Sequence, residues 1–451
     1  MTAASKGPGR REYLSYGVGM VGNQIMRDVP TAMLLFYMTN ALLVAPAYAG
    51  LAILLPKIWV IVADPLVGYL SDRTHTRWGG RKPWLLAGAL VGTAMFVALF
   101  NMPVPASQVG AAVVVGLLYM LMATGYSMYS VPYLTVAAEL GDEPHQRTTA
   151  LSYKQYFCLV GVFAGLSLAP WLVAHFGAGK AAYGKMAWIV GAIMLVTTLA
   201  TAVLVPVRQI RPAEQASTGP IWRQMRETFA HRPFRIVFVA ATLQLLGFGV
   251  NQGGGLYFLI YIMHLPMDVM GVSIVGAIIG SGLAQPFWVG LARRMGTVPA
   301  YRVASFFAAG VAGAMAFVPP DMRWAYVAYG TLSGAATSGF TLLSFAALIE
   351  AIALDGPDSQ RKGLFVAAYT AMEKATLAIG GFLVAVALSL AHFVQGAPLR
   401  DQPQGVPLAI LIVSAAFPCL LKVASGLVLG RFERGERAMR SAPAEAELAA
   451  Q

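Results

Sequence analysis

Apolar stretches of about 20 residues follow one another along this chain from near its start to near its end, separated by short polar or basic segments. A stretch of that length, wound into a helix, crosses a bilayer core roughly 30 Å thick. A helix also satisfies its own backbone polar groups where no water can reach them. The pattern therefore restricts the chain to an all-α bundle of membrane-crossing helices. Composition agrees, since 57% of the 451 residues are hydrophobic and only 12% are charged, about half the charge of an ordinary soluble domain. The opening residues, "MTAASKGPGRREYL", are polar and basic and lead into a segment too long for the h-region of a signal peptide. No cleaved signal is expected.

Twelve transmembrane helices are expected, at 13–40, 47–72, 83–103, 107–140, 149–176, 183–207, 236–262, 269–292, 299–319, 323–353, 363–393 and 405–430. The net charge of +12 is distributed in a way that argues against a nucleic-acid footprint. Most lysines and arginines fall at the termini and in the loops joining even to odd helices. Lys180, Lys185, Arg323 and Arg400 fall on the opposite side, and Arg27, Lys57, Lys154 and Lys374 are read as lying within spans. The positive-inside rule then predicts a multi-pass protein of the inner (plasma) membrane with both termini cytoplasmic. Anionic lipid of the bilayer would add to the pull on the basic loops. Cys158 and Cys419 lie in apolar segments and read as small buried hydrophobes, with neither disulfide nor metal spacing.

The longest polar interruption, 208–235, is basic and carries three prolines. It divides the chain into a cytoplasmic N-terminus (1–12), a six-helix bundle (13–207), a cytoplasmic linker (208–235), a second six-helix bundle (236–430) and a cytoplasmic tail (431–451). The two halves echo each other. "ADPLVGYLSDRT" at 63–74 returns as "AQPFWVGLARRMG" at 284–296, so that Gln285-Pro286 answers Asp64-Pro65. "DEPHQR" at 142–147 pairs with "GPDSQR" at 356–361, again where an even helix hands over to an odd one. Two pseudo-symmetric six-helix halves are the plan of the major facilitator fold, with a solute site near the middle of the bilayer.

The polar residues within spans are the candidate site. Asp64 sits inside an apolar helix, beside the carbonyl of Ile61 that Pro65 leaves without its helical donor. A carboxylate at that depth either takes up a proton or finds a cation; it reads as a coupling-ion site or as half of a structural pair. Lys57 lies two turns away on the same face. In the first helix Gln24, Arg27 and Asp28 share a face by their i, i+3 and i, i+4 spacing, as a cavity-lining stripe or as structural pairs with other helices. Tyr126, Ser127 and Ser130 offer hydroxyls beside Pro132, and Lys154 opens the fifth helix. Asn251 and Gln252 precede three glycines expected to form a flexible, unwinding segment, and Lys374 follows Glu373 in the eleventh helix.

"SYGVGMVGN", "LLFYMTN", "LPKIWVIVADPLVGYLSDRTHTRWGGRKPWLLAGA", "VPYLTVAAEL", "QRTTALSYK" and "RKGLFVAAYTAMEK" together resemble the glycoside–pentoside–hexuronide:cation symporters, a branch of the major facilitator superfamily. The resemblance runs through nearly the whole chain and is most specific over 55–89. It implies a secondary transporter working by alternating access. Asp64 matches the second of two family aspartates that serve the coupling cation, with Ser127 and Tyr126 at the joining helix-four positions; the first aspartate is replaced by Val60. Sodium needs several hard oxygen ligands, so the loss shifts the expectation from sodium towards a proton. The family's solute positions fall on Gln24, Ser130, Lys154 (or Gln155) and Lys374, with Arg27, Asp28, Tyr126, Asn251 and Gln252 nearby. The charged clamp for a galactoside is gone, while a sugar, glycoside or related polar solute is retained.

The resemblance extends to a cytoplasmic gate, with Asp72, Arg73, Glu139, Arg147, Arg293, Arg294, Glu350 and Arg361 at helix ends near one surface. Ion pairs formed on closing and broken on opening would make it a two-state element. Neither an enzyme, a cofactor nor a metal site is expected, and the protein is expected to work as a monomer. An exporter and a carrier of lysolipids or other amphipathic solutes remain open alternatives. A membrane-embedded transferase is more remote, as no aspartate-rich metal-binding run is present.

Overall fold

The structure is a computed structural model that describes residues 8–74, 76–140, 144–205, 226, 228–354 and 362–432. Twelve long helices lie among them. The first six are α1 (Arg10–Asn40), α2 (Pro46–Arg73), α3 (Lys82–Asn101), α4 (Gln108–Glu139), α5 (Pro144–Val162, running on through a π turn at Phe163–Leu168 to His175) and α6 (Lys180–Leu204). The second six are α7 (Arg232–Ile262), α8 (Asp268–Met295), α9 (Thr297–Phe317), α10 (Arg323–Ala353), α11 (Lys362–Leu390) and α12 (Gly405–Phe432). All but α1 are long and apolar enough by composition to cross a membrane. In α1 the apolar run is diluted by Asn23, Gln24, Arg27 and Asp28, and those residues matter below.

The prolines inside α2 and α8 do not end them. Both helices continue through Pro65 and Pro286. The glycines after Asn251 do not unwind α7 either; its irregularity comes a turn later, as a π turn at Phe258–Ile262. A third π turn, Ile412–Ala416, lies in α12. Such turns widen the helix and release carbonyls for other partners.

The chain forms two compact units. The first holds Met1–Glu214 together with Gly255–Val272 and Gly381–Pro407. Its core stacks Tyr16 on Tyr133 at 4.6 Å and Tyr129 on Tyr133 at 5.5 Å, with Tyr133 donating its hydroxyl proton to the Tyr16 carbonyl. At the end of α1 away from the N-terminus, Thr39 shares a 2.6 Å hydrogen bond with Tyr257. The hydroxyl of Tyr261 reaches Asn40 Oδ1 at 2.6 Å and the Ala397 carbonyl at 3.2 Å.

The second unit holds Gln215–Gly254, Ser273–Gly380 and Leu408–Gln451. Its core is built on Phe234, Tyr301, Leu343 and Phe365, all at most 1% exposed. Here α8 and α10 cross at glycines, since a Cβ on Gly334 would collide with the Ala277 carbonyl and one on Gly280 with that of Thr331. Small residues are what let membrane helices approach so closely. Gly334→Val is expected to cost about 1–3 kcal/mol through overpacking and to lower the unfolding temperature in detergent. Gly310→Ala, whose added carbon meets open space, should not. Equal unfolding temperatures for the two variants would refute the close crossing.

Candidate functional site

The polar stripe of α1 is buried in the first unit, with Gln24 and Asp28 only 2% and 6% exposed. A buried carboxylate must be surrounded by donors to stay ionised, and Asp28 is. Gln24 Nε2 donates to Oδ2 at 2.8 Å, and Arg27 Nε donates to Oδ1 at 3.0 Å. The other end of the Gln24 amide is fixed from α5, where the Cys158 thiol donates to Oε1 at 3.5 Å. Gly161 allows this approach, because a Cβ there would lie 2.6 Å from that of Gln24. Cys158 thus belongs to the site, contrary to its reading as a plain buried hydrophobe.

Around this core two charges and a phenol gather from three other helices. Lys57 of α2 lies within electrostatic range of both Arg27 and Asp28, and Lys154 of α5 within range of Arg27. Tyr126 of α4 is also within range of Arg27. Four helices thus bring Gln24, Arg27, Asp28, Lys57, Tyr126, Lys154 and Cys158 to one place in the first unit. The cluster presents many donors and one carboxylate, suited to a solute rich in oxygen atoms. Arg27 is bound at Nε, and its side chain is 45% exposed, so the outer nitrogens of its guanidinium remain available for a solute.

The second candidate, Asp64, is half-buried on α2. Its level is set by the packing of α2 along α4. Ala52 lies against Gly116, Trp59 Nε1 donates to Thr124 Oγ1 at 2.9 Å, and Val131 lies 3.6 Å from a Cβ built on Gly68. The offsets are 116 − 52 = 64, 124 − 59 = 65 and 131 − 68 = 63, so both helices run in the same direction at a steady register. That register puts Asp64 level with residues 127–129. Ser127 is fully buried there, and its hydroxyl finds no hydrogen-bond partner among the described residues. Buried hydroxyls in helices ordinarily bond back to a carbonyl, so a ligand-seeking oxygen at this level fits an ion site. Val60, in place of the missing carboxylate, is buried.

In the second unit Asn251 Nδ2 donates to the Ser414 carbonyl at 3.1 Å, an acceptor within the α12 π turn, and approaches the Tyr329 hydroxyl at 3.4 Å. Gln252 and Lys374 are half-buried on α7 and α11. Ser130 is buried on α4, and the polar contacts above do not include it. Among the expected gate residues, Asp72 Oδ1 accepts from Arg81 Nη2 at 3.4 Å, and Arg73 stacks over Tyr69 at 4.1 Å. Arg293 and Arg294 are exposed, and Glu350 keeps one buried carboxyl oxygen without a hydrogen bond among the described residues. The side chains of Glu139 and Arg147, and all of Arg361, lie outside the described residues. Sequence reading also missed Lys422, a further basic residue within a span, on α12.

Apolar helices in this number, with charged groups buried inside them, fit a multi-pass membrane protein of the major facilitator fold. The solved nucleoside transporter NupG superposes with a TM-score of 0.66 at 14% identity, over 93% of this chain and 99% of that one. The chain belongs to the family described as MFS/sugar transport protein, whose model matches residues 15–434. The inner membrane symporter YicJ of Escherichia coli (strain K12) is 24% identical over 61% of this chain and 60% of its own length. The isoprimeverose transporter of Lactiplantibacillus pentosus is 24% identical over 58% of this chain and 56% of its own. The matched region thus spans under two thirds of the length of these two relatives.

Proposed function

We propose that the protein is a secondary active transporter of the inner membrane, a cation-coupled symporter that moves a sugar, glycoside or related small polar solute by alternating access. The observation that carries this reading is the buried Gln24–Asp28–Arg27 assembly on α1, braced by Cys158 and joined by charges from α2 and α5. Charge inside a span is expensive and is kept where it serves a pathway. In this reading Gln24, Arg27, Asp28, Tyr126 and Lys154 bind the solute, together with Ser130, Asn251, Gln252 and Lys374. Asp64, with Ser127 and Tyr126, takes the coupling ion. One carboxylate with a valine a turn before it on the same helix supports a proton over sodium, since a proton needs a single base and sodium needs a shell of oxygens. Asp72, Arg73, Glu139, Arg147, Arg293, Arg294, Glu350 and Arg361 serve a cytoplasmic gate, and the monomer is the working unit with both termini in the cytoplasm.

The test is uptake into proteoliposomes of a glycoside panel that includes isoprimeverose, under proton and sodium gradients imposed separately. Concentrative uptake driven by the proton gradient and abolished by a protonophore is the expected result. Uptake driven only by sodium would overturn the ion assignment. Absence of gradient-driven movement of every panel member would overturn the symporter reading for sugars.

A further inference from the structure

We propose that the second unit contains an anion-binding site, built around Lys422 on α12 and Gln244 on α7. It lies in a cavity bounded by α7, α9, α10 and α12, with ≈ 330 Å³ of space not filled by atoms, its mouth included. The enclosed part has room for about one water-sized group, so a small anion, or the acid group of a solute whose remainder stays at the mouth, fits. No carboxylate among the described residues lines this cavity. Among the described residues the group within electrostatic range of the Lys422 amine is the Cys419 thiol, not a carboxylate.

An ammonium group in a membrane span needs an opposite charge or sheds its proton. The neighbouring amide adds a second donor. Gln244 is 2% exposed, and its Nε2 donor is buried with no hydrogen-bond partner among the described residues. Two donor groups thus line one cavity, and among the described residues neither is bound to a hydrogen-bond acceptor. The hydroxyls of Tyr329, Ser333 and Thr337 line the same cavity and can turn their protons inward. Phe248, Val311 and Phe340 supply apolar walls, which strengthen the attraction of an anion for the ammonium. The ligand chemistry is a small anionic group. It arrives either as a free inorganic anion or as the acid group of a solute, and the site does not depend on which solute the protein carries.

The experiment is the unfolding temperature of the full-length protein in detergent, with sodium bromide or sodium glucuronate replacing sodium HEPES at fixed ionic strength. A saturable upward shift with bromide that is lost in Lys422→Gln supports the site with a free anion as ligand. A saturable shift with glucuronate alone, also lost in that variant, supports it with a solute's acid group as ligand. Gln244→Leu, which keeps the charge, should raise the half-saturating concentration roughly tenfold, the effect of losing one hydrogen bond to a charged group. It also serves as the test if Lys422→Gln does not fold. No saturable shift with either salt, or a shift that both variants retain unchanged, overturns the proposal.

Discussion

Asp64→Asn is expected to abolish accumulation of solute against a gradient while leaving the protein folded and able to exchange solute down one. Asparagine keeps the size of the side chain and its place level with Ser127, and removes the carboxyl group proposed to take up the proton. The effect is large because coupling sets the ceiling on accumulation. Moving one charge through 100 mV is worth roughly 2.3 kcal/mol, and about 1.4 kcal/mol corresponds to a factor of ten. One proton per solute thus supports a concentration ratio of roughly 50 at that potential. The variant should settle near a ratio of about one, because an uncoupled carrier gains nothing from the gradient. Steady-state uptake in proteoliposomes under an imposed potential and pH gradient measures both values. Wild-type accumulation by the variant would remove Asp64 from the coupling step.

Asp28→Ala should damage both binding and folding. Both oxygens of Asp28 accept hydrogen bonds inside the first unit. Without them the Gln24 amide loses its acceptor, and Arg27 remains within range of Lys57 and Lys154 with its carboxylate gone. A buried donor left unmatched costs about 1–3 kcal/mol, and more where charge is involved. A lower unfolding temperature and at least a tenfold loss of solute affinity are expected. Asp28→Asn separates the two effects. Its amide oxygen still accepts one of the two bonds and so restores much of the stability, while the lost charge keeps affinity low. A wild-type unfolding temperature and affinity in the alanine variant would mean that this carboxylate organises nothing.

Much of the fold was legible from hydropathy alone, and α10 was expected at 323–353, the bounds it has. The membrane-crossing part of α5 was expected from 149, and it starts at Thr149. A helix can run past the membrane, however, and α5 begins at Pro144. Within the site, the α1 stripe could be read because i, i+4 spacing is local, and the Gln24–Asp28 bond follows from it. The part played by Cys158 could not, since it depends on α5 approaching α1 across 134 residues of sequence. The π turns left no sequence signal either. They depend on how the backbone packs, so Asn251 could be flagged as polar while its acceptor, the Ser414 carbonyl, stayed hidden. Lys422 escaped notice because one lysine barely changes the hydropathy of a 28-residue apolar helix.

The hydrogen bonds at the far end of α1, from Thr39 to Tyr257 and from Tyr261 to Asn40 and the Ala397 carbonyl, amount to a latch of modest strength. When they part, water replaces each partner, so every bond is worth only about 0.5–1.5 kcal/mol net. Tyr261 has a single proton to share between Asn40 and the Ala397 carbonyl, so two such bonds at a time hold by about 1–3 kcal/mol. Swinging a two-state equilibrium from one side to the other takes about 5.5 kcal/mol of differential affinity, which a bound solute and its ion can supply. The rings add to the hydroxyls here, with Tyr257 packed on Phe36 and Phe393 and Tyr261 on Phe393, so the proposed alternation would have to part apolar contacts as well as hydrogen bonds at this end of α1.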